Sequence, residues 1–149
     1  MNDALSRAAE AAGLSDPAQR SLRLAFGLAC VSRVEHLLED ARAKEALRVL
    51  QAWVEGRADD ASLQTAATDM QAVAGGHRGS DSIDGSAHAA VSATYAVANA
   101  LAGRALEAAD YAAYASVYAY GGYAVNDRAS FEPEFVWQVQ ELERLAGKG

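Results

Sequence analysis

Sulfur, proline and histidine are scarce in this chain: of 149 residues, one is Cys, two are Pro and three are His. A lone cysteine, Cys30, rules out an internal disulfide. Met1–Gly13 alternates charges with alanine and holds no apolar signal core, so the cytoplasm is the expected location. Long hydrophobic runs are missing too. The most apolar stretch, Ser86–Val125, is mostly Ala, Tyr, Ser and Gly, with Arg104, Glu107 and Asp110 in its middle. It lacks the roughly 20 strongly apolar residues of a membrane span, so no membrane contact is expected. Positive charge is in deficit: 13 basic against 20 acidic residues leave a net charge of −7. That argues against nucleic acid, whose binders present a basic face. It suits a basic protein partner, because an acidic surface steers cations toward it.

Reaction chemistry is equally thin. No Glu-x-x-His pair marks a di-metal bundle, and no dinucleotide or diphosphate motif occurs. The serines, histidines and acids form no recognisable nucleophile setting. The loop Gly75–Gly85 (GGHRGSDSIDG) follows no strand and lacks the glycine-rich lysine motif, so it is not a phosphate loop. His77, Asp81, Asp84 and His88 match no zinc or calcium spacing. The loop reads as a solvated connector, and no metal, cofactor or catalytic residue is expected.

What the chain has in quantity is alanine, the best helix former, in amphipathic patterns. A short helix over Asp3–Ala12 must dock or fray. Ser15-Asp16-Pro17 starts a second helix, running to about Asp40. Its stripe is Leu22, Ala25, Phe26, Ala29, Cys30, Val34, Leu37 and Leu38, with Arg33 at the edge, snorkelling or paired. Cys30 reads as a small core hydrophobe. A third helix, Ala43–Glu55, buries Ala46, Leu47, Leu50, Trp53 and Val54, with the Trp53 N–H reaching a partner near the surface. Asp59-Asp60 caps a fourth, Ala61–Ala74. Short breaks predict that helices two, three and four pack as antiparallel neighbours. Ser86–Ala102 and Ala105–Tyr120 form a hairpin pivoting at Gly103, and this hairpin is the expected centre of the fold. Phe131-Glu132-Pro133 opens a last helix to about Ala146. Its stripe is Phe135, Val136, Val139, Leu142 and Leu145, with Trp137 and Gln138 off-centre. The whole predicts one all-α domain, a bundle of about six to seven helices, with residues 1–14 weakly attached.

All six tyrosines lie in the hairpin region. Tyr111, Tyr114 and Tyr118 share a stripe that reads first as a core edge, and second as a recognition surface. Glu107 and Asp110 read as first-turn acids complementing the helix dipole rather than an acid–base pair. His88 and Asn99 read as buried polar groups that set register.

The order of segments carries a resemblance. A cysteine-bearing helix (LACVSRVEHLLED) is followed by a helix ending Trp-x-x-Gly (EALRVLQAWVEGR), then an alanine-rich helix. The hairpin HAAVSATYAVANALAGRALEAADYAAYASVYAYGGYAV and a final helix with WQVQEL complete it. From about Leu22 to Leu145 the chain resembles a family of helical immunity proteins found beside bacterial polymorphic toxins. The resemblance implies a non-enzymatic inhibitor that binds a cognate toxin and blocks its active site, and it transfers no catalytic residue. The expected contact surface is the end of the bundle where Asp81 and Asp84 meet Tyr120, Tyr123 and Asp127. There the aspartates would mimic phosphate or pair with toxin Arg or Lys. Two other classes stay open. One is a ligand-binding or enzymatic bundle with a pocket among Tyr95, Tyr111, Tyr114 and His88. The other is an oligomeric module, with a homodimer formed through the small-residue faces of the hairpin.

Overall fold

The computed structural model describes residues 2–76 and 86–147, with backbone alone for Gly76, Ser86 and Ala87. Among the described residues there are seven α-helices and no strand. They are α1 (Asp3–Ala11), α2 (Arg20–Ser32), α3 (Ala41–Val54), α4 (Asp60–Gly76), α5 (Ser86–Leu101), α6 (Ala105–Tyr120) and α7 (Glu132–Gly147). Single 3-10 turns at Pro17–Gln19, Glu35–Leu37, Gly122–Asn126 and Arg128–Phe131 join them.

Short polar side chains start these elements by accepting otherwise orphaned backbone N–H groups. Asn2 caps α1 through Leu5 N at 3.1 Å, and Asp40 caps α3 through Arg42 N at 2.8 Å. Asp59 caps α4 through Ser62 N at 2.8 Å. That backbone N–H, with the Ser62 side chain, holds the Asp59 carboxyl below the usual range. Gly103 turns the α5–α6 hairpin with φ +77°, a region that side chains avoid.

The hairpin is the centre, as expected, and α2 lies against both of its helices. The shared interface is built from Ala93, Ala96, Ala100, Ala105, Ala108, Ala109 and Ala112, all buried, against Phe26, Cys30 and Val31. Gly27 makes the approach closest: a Cβ there would meet Ala100 Cβ at 3.1 Å and its Cα at 3.2 Å. Around this trio, α3 packs on α2, α4 and α5, while α4 packs on α3 and α5. On the other flank α7 packs on α2 and α6, and α1 packs on α7. The expected run of neighbours therefore holds for α2–α3 and α3–α4, and α4 then turns onto the hairpin.

Three expectations about the extent and inner faces of α2 and α7 need correction. The second helix stops at Ser32, not near Asp40. The chain continues as a 3-10 turn and goes extended at Leu38, which frees Asp40 to cap α3. Val34 and Leu38 stay buried, so periodicity alone could not reveal the break. The inner arc of α2 also takes in Leu24, Gly27 and Val31, because helices cover it on several sides; Leu22, Ala25 and Ala29 are half-buried. On α7 Leu142 is buried as expected, but it is joined by Gln138, 1 % exposed, while Val136 faces out. Gln138 Nε2 donates to the Ala109 carbonyl at 2.9 Å, and its Oε1 accepts from Asn2 Nδ2 at 3.1 Å. A glutamine so satisfied can lie in a core. Asn2 Nδ2 also donates to the Phe135 carbonyl at 3.2 Å, so one side chain caps α1 and ties it to α7.

Candidate partner-binding surface

Alanine on one face of α6 forces its tyrosines onto the other. The tyrosine stripe is not a core edge: Tyr111 is 37 % and Tyr114 40 % exposed, with Tyr95 and Tyr118 half-buried. The alanine face approaches α5 and α2 too closely for rings, so the rings lie outside and pack on one another. Tyr95 stacks on Tyr111 at 5.3 Å between centroids, and His88 on Tyr118 at 5.4 Å. Tyr118 neighbours Tyr114, whose ring meets Phe131 edge-on at 5.1 Å; Phe131 in turn lies 5.6 Å from Phe135. A band of rings thus crosses from the start of α5 over α6 to α7. Of the residues suggested as a pocket, Tyr95 and Tyr111 stack on each other, His88 stacks on Tyr118, and Tyr114 meets Phe131 edge-on along this band.

Beyond α6 the chain folds back over a second, small core of Ala113, Val117, Ala124 and Phe131, flanked by Val125 and Phe135. Two rings stand on this base in solvent: Tyr120 is 79 % and Tyr123 74 % exposed. Their centroids are 6.4 Å apart, and the Tyr123 ring folds back toward Gly121, where a Cβ would stand 2.6 Å from Cε1. Asp127 follows on the same turn, exposed, its Oδ1 accepting from Ala129 N at 3.0 Å. So Tyr120, Tyr123 and Asp127 share one end of the bundle. Asp81 and Asp84 lie outside the described residues, as does His77. His88 on Tyr118 places the start of α5 beside the end of α6.

The remaining singled-out groups are structural. The Cys30 thiol is buried, and burial, reinforced by Glu141 and Glu134, pushes its pKa far up, which keeps it protonated and unreactive. Arg33 forks onto Glu134 at 2.9 and 2.8 Å and lies over Trp137, 4.2 Å from the ring centroid. Ser116 Oγ donates to the same Glu134 oxygen at 3.3 Å, so this cluster clasps α2, α6 and α7. Trp53 Nε1–H donates to Asp60 at 2.8 Å, and Arg20 donates to the same oxygen at 3.0 Å while covering the indole. Those contacts, Trp53 first, hold the Asp60 carboxyl below its usual range. Asn99 is half-buried and donates to the Tyr95 carbonyl of its own helix. The fully buried polar group of α5 is Thr94, bonded to the Ala90 carbonyl. The small faces offered for dimerisation are largely covered by α2 within the chain.

A groove of about 700 Å³ separates α3 from α4, floored by Ala46, Val49, Ala66, Met70 and Val73. No helix among the described residues is long and apolar enough to cross a membrane.

Outside the chain itself, the model of a family described as "Imm-5 like putative immunity protein" matches residues 13–145. The chain belongs to that family. The immunity-family match begins at Gly13, just after α1, and takes in both Tyr120–Asp127 and the alanine core. No curated protein and no solved structure matches the chain.

One feature of this immunity-family chain escaped reading from sequence. Glu107 does lie in the first turn of α6, but Asp110 is a turn further in and half-buried. Burial above all, with Glu107 adding to it, pushes its carboxyl above the usual range. The available signal was its spacing, four residues before Tyr114 on one face of α6.

Proposed function

We propose that this immunity-family protein binds a cognate toxin domain and blocks its active site, with no catalysis of its own. The observation that carries the reading is the Tyr120–Tyr123 pair, two solvent-facing rings on a turn backed by its own small core. Tyrosine gives a large contact area, a polar tip and little rotamer entropy to lose, and aromatic anchors dominate interface energetics. A chain of net charge −7 favours a toxin with a basic surface, drawn in by electrostatic steering. Asp127, with Asp81 and Asp84, would supply carboxylates to toxin Arg or Lys. The site of action on this reading is the cytoplasm.

The test is co-expression with the product of the adjacent gene, scored by capture on the tagged chain and by rescue of growth. Capture with rescue is expected. Tyr120→Ala with Tyr123→Ala should weaken capture while the melting temperature holds, and Asp81→Ala with Asp84→Ala should slow association. Unchanged affinity in both double variants would remove this end of the bundle as the contact surface.

A further inference from the structure

At the seam of α6 and α7 lies a cavity of about 140 Å³, lined by Asp110, Tyr114, Val125, Arg128, Phe131 and Phe135. It is well below the roughly 300–1,000 Å³ of small-molecule sites, so it fits a single side-chain head. Its walls are aromatic: Tyr114 and Phe131 meet edge to face, with Phe135 alongside. Its one acid, Asp110, is half-buried and makes no hydrogen bond or ion pair among the described residues. A carboxylate so placed loses part of its hydration without gaining a hydrogen bond from the described residues. Ring faces attract cations, and a carboxylate beside them adds Coulomb attraction in a partly dry setting.

We propose that this cavity receives one basic side chain, lysine or arginine, from the protein partner, with Asp110 as counter-ion and Tyr114, Phe131 and Phe135 as the surrounding cage. The inference rests on the partner-binding reading and deepens it. It adds a part-buried charge contact to the exposed tyrosines, in a cavity lined partly by Val125 and Arg128 of the segment that carries Tyr123 and Asp127. The raised pKa of Asp110 comes first from burial and agrees with a carboxylate that has lost part of its hydration. Arg128, exposed at the same cavity, forms no ion pair with Asp110 and would repel an incoming cation. Removing it should therefore improve reception.

Two measurements separate the inference from the reading beneath it. The first uses no toxin. Lysine amide is titrated into the labelled protein while the ring resonances of Tyr114, Phe131 and Phe135 are followed by NMR, with norleucine amide as the uncharged control. Saturable shifts with lysine amide alone, lost in Asp110→Asn and enhanced in Arg128→Gln, are expected. No saturable shift at tens of millimolar, or equal shifts with the control, overturns the cavity as a cation site. The second compares captured toxin: Asp110→Asn should weaken affinity by about tenfold or more, as for a desolvated charge pair, without lowering the melting temperature. Toxin bound equally by wild type and Asp110→Asn overturns the inference and leaves the proposed function standing. Wild type that captures no toxin removes the function, while the titration still decides the cavity.

Discussion

The two faces of α6 make opposite use of the same helix. Inward, Ala105, Ala108, Ala109, Ala112 and Ala115 are almost fully buried and bring α5 and α2 close. Outward, Tyr111 and Tyr114 lie in the ring band, and Tyr120 stands in solvent at the end of the helix. Small side chains lose little entropy and tolerate close backbone contact, but they offer no large area to recognise. Rings do the reverse. Stability is thus concentrated on one face and the proposed recognition on the other, and a substitution should disturb one without the other.

The largest effect should come from the close face. Gly27→Leu places a branched side chain where a single Cβ already crowds Ala100, and should cost about 3 kcal/mol, the upper end of overpacking penalties. Urea denaturation measures it, and the folded fraction should still bind partner. A loss of less than about 0.5 kcal/mol would mean that the α2–α5 contact yields easily, and the contrast between the faces would weaken. Next is Gln138→Leu, which strips one of two acceptors from Asn2 Nδ2 and the side-chain donor from the Ala109 carbonyl; about 1–2 kcal/mol is expected. Because Asn2 also caps α1, hydrogen exchange in α1 should rise more than in α5. Glu134→Gln loosens the Arg33 fork at the α2–α7 clasp and should cost at most about 1 kcal/mol, since Arg33 is partly solvated. The outward pair should cost least: Tyr120→Ala with Tyr123→Ala should change stability by no more than about 0.5 kcal/mol. A larger loss would make these rings structural.

Acidity sharpens the contrast through Asp110. Its carboxyl is raised in the folded state, so its stabilising contribution is complete below the unfolded Asp value and is lost as pH rises through the folded one. Wild type should therefore lose stability relative to Asp110→Asn between acid pH and neutrality. The opposite trend would mean that Asp110 has a cationic partner in the free protein.

Helix positions were legible because their signals are local. Asp16 and Asp59 cap from within a few residues, Gly103 stops a helix by its own φ, and alanine favours helix in any neighbourhood. The family resemblance was legible for the same reason, as an order of segments along the chain. Of the residues expected at the contact surface, Tyr120, Tyr123 and Asp127 fall together because one short turn holds them. Which way the tyrosine stripe faced was not legible, because an Ala/Tyr helix has two plausible inner faces and only the packing of α5 and α2 chooses. Gln138 was hidden likewise, since its polarity argues for the surface until Asn2 and the Ala109 carbonyl arrive from elsewhere to satisfy it. The cavity at Asp110 needs α6, the Gly122–Asn126 turn and α7 to meet. Local propensity and capping thus determined the helices and their order. Orientation, burial of the polar groups and the two candidate contact points were decided by tertiary packing, because each depends on atoms distant in sequence.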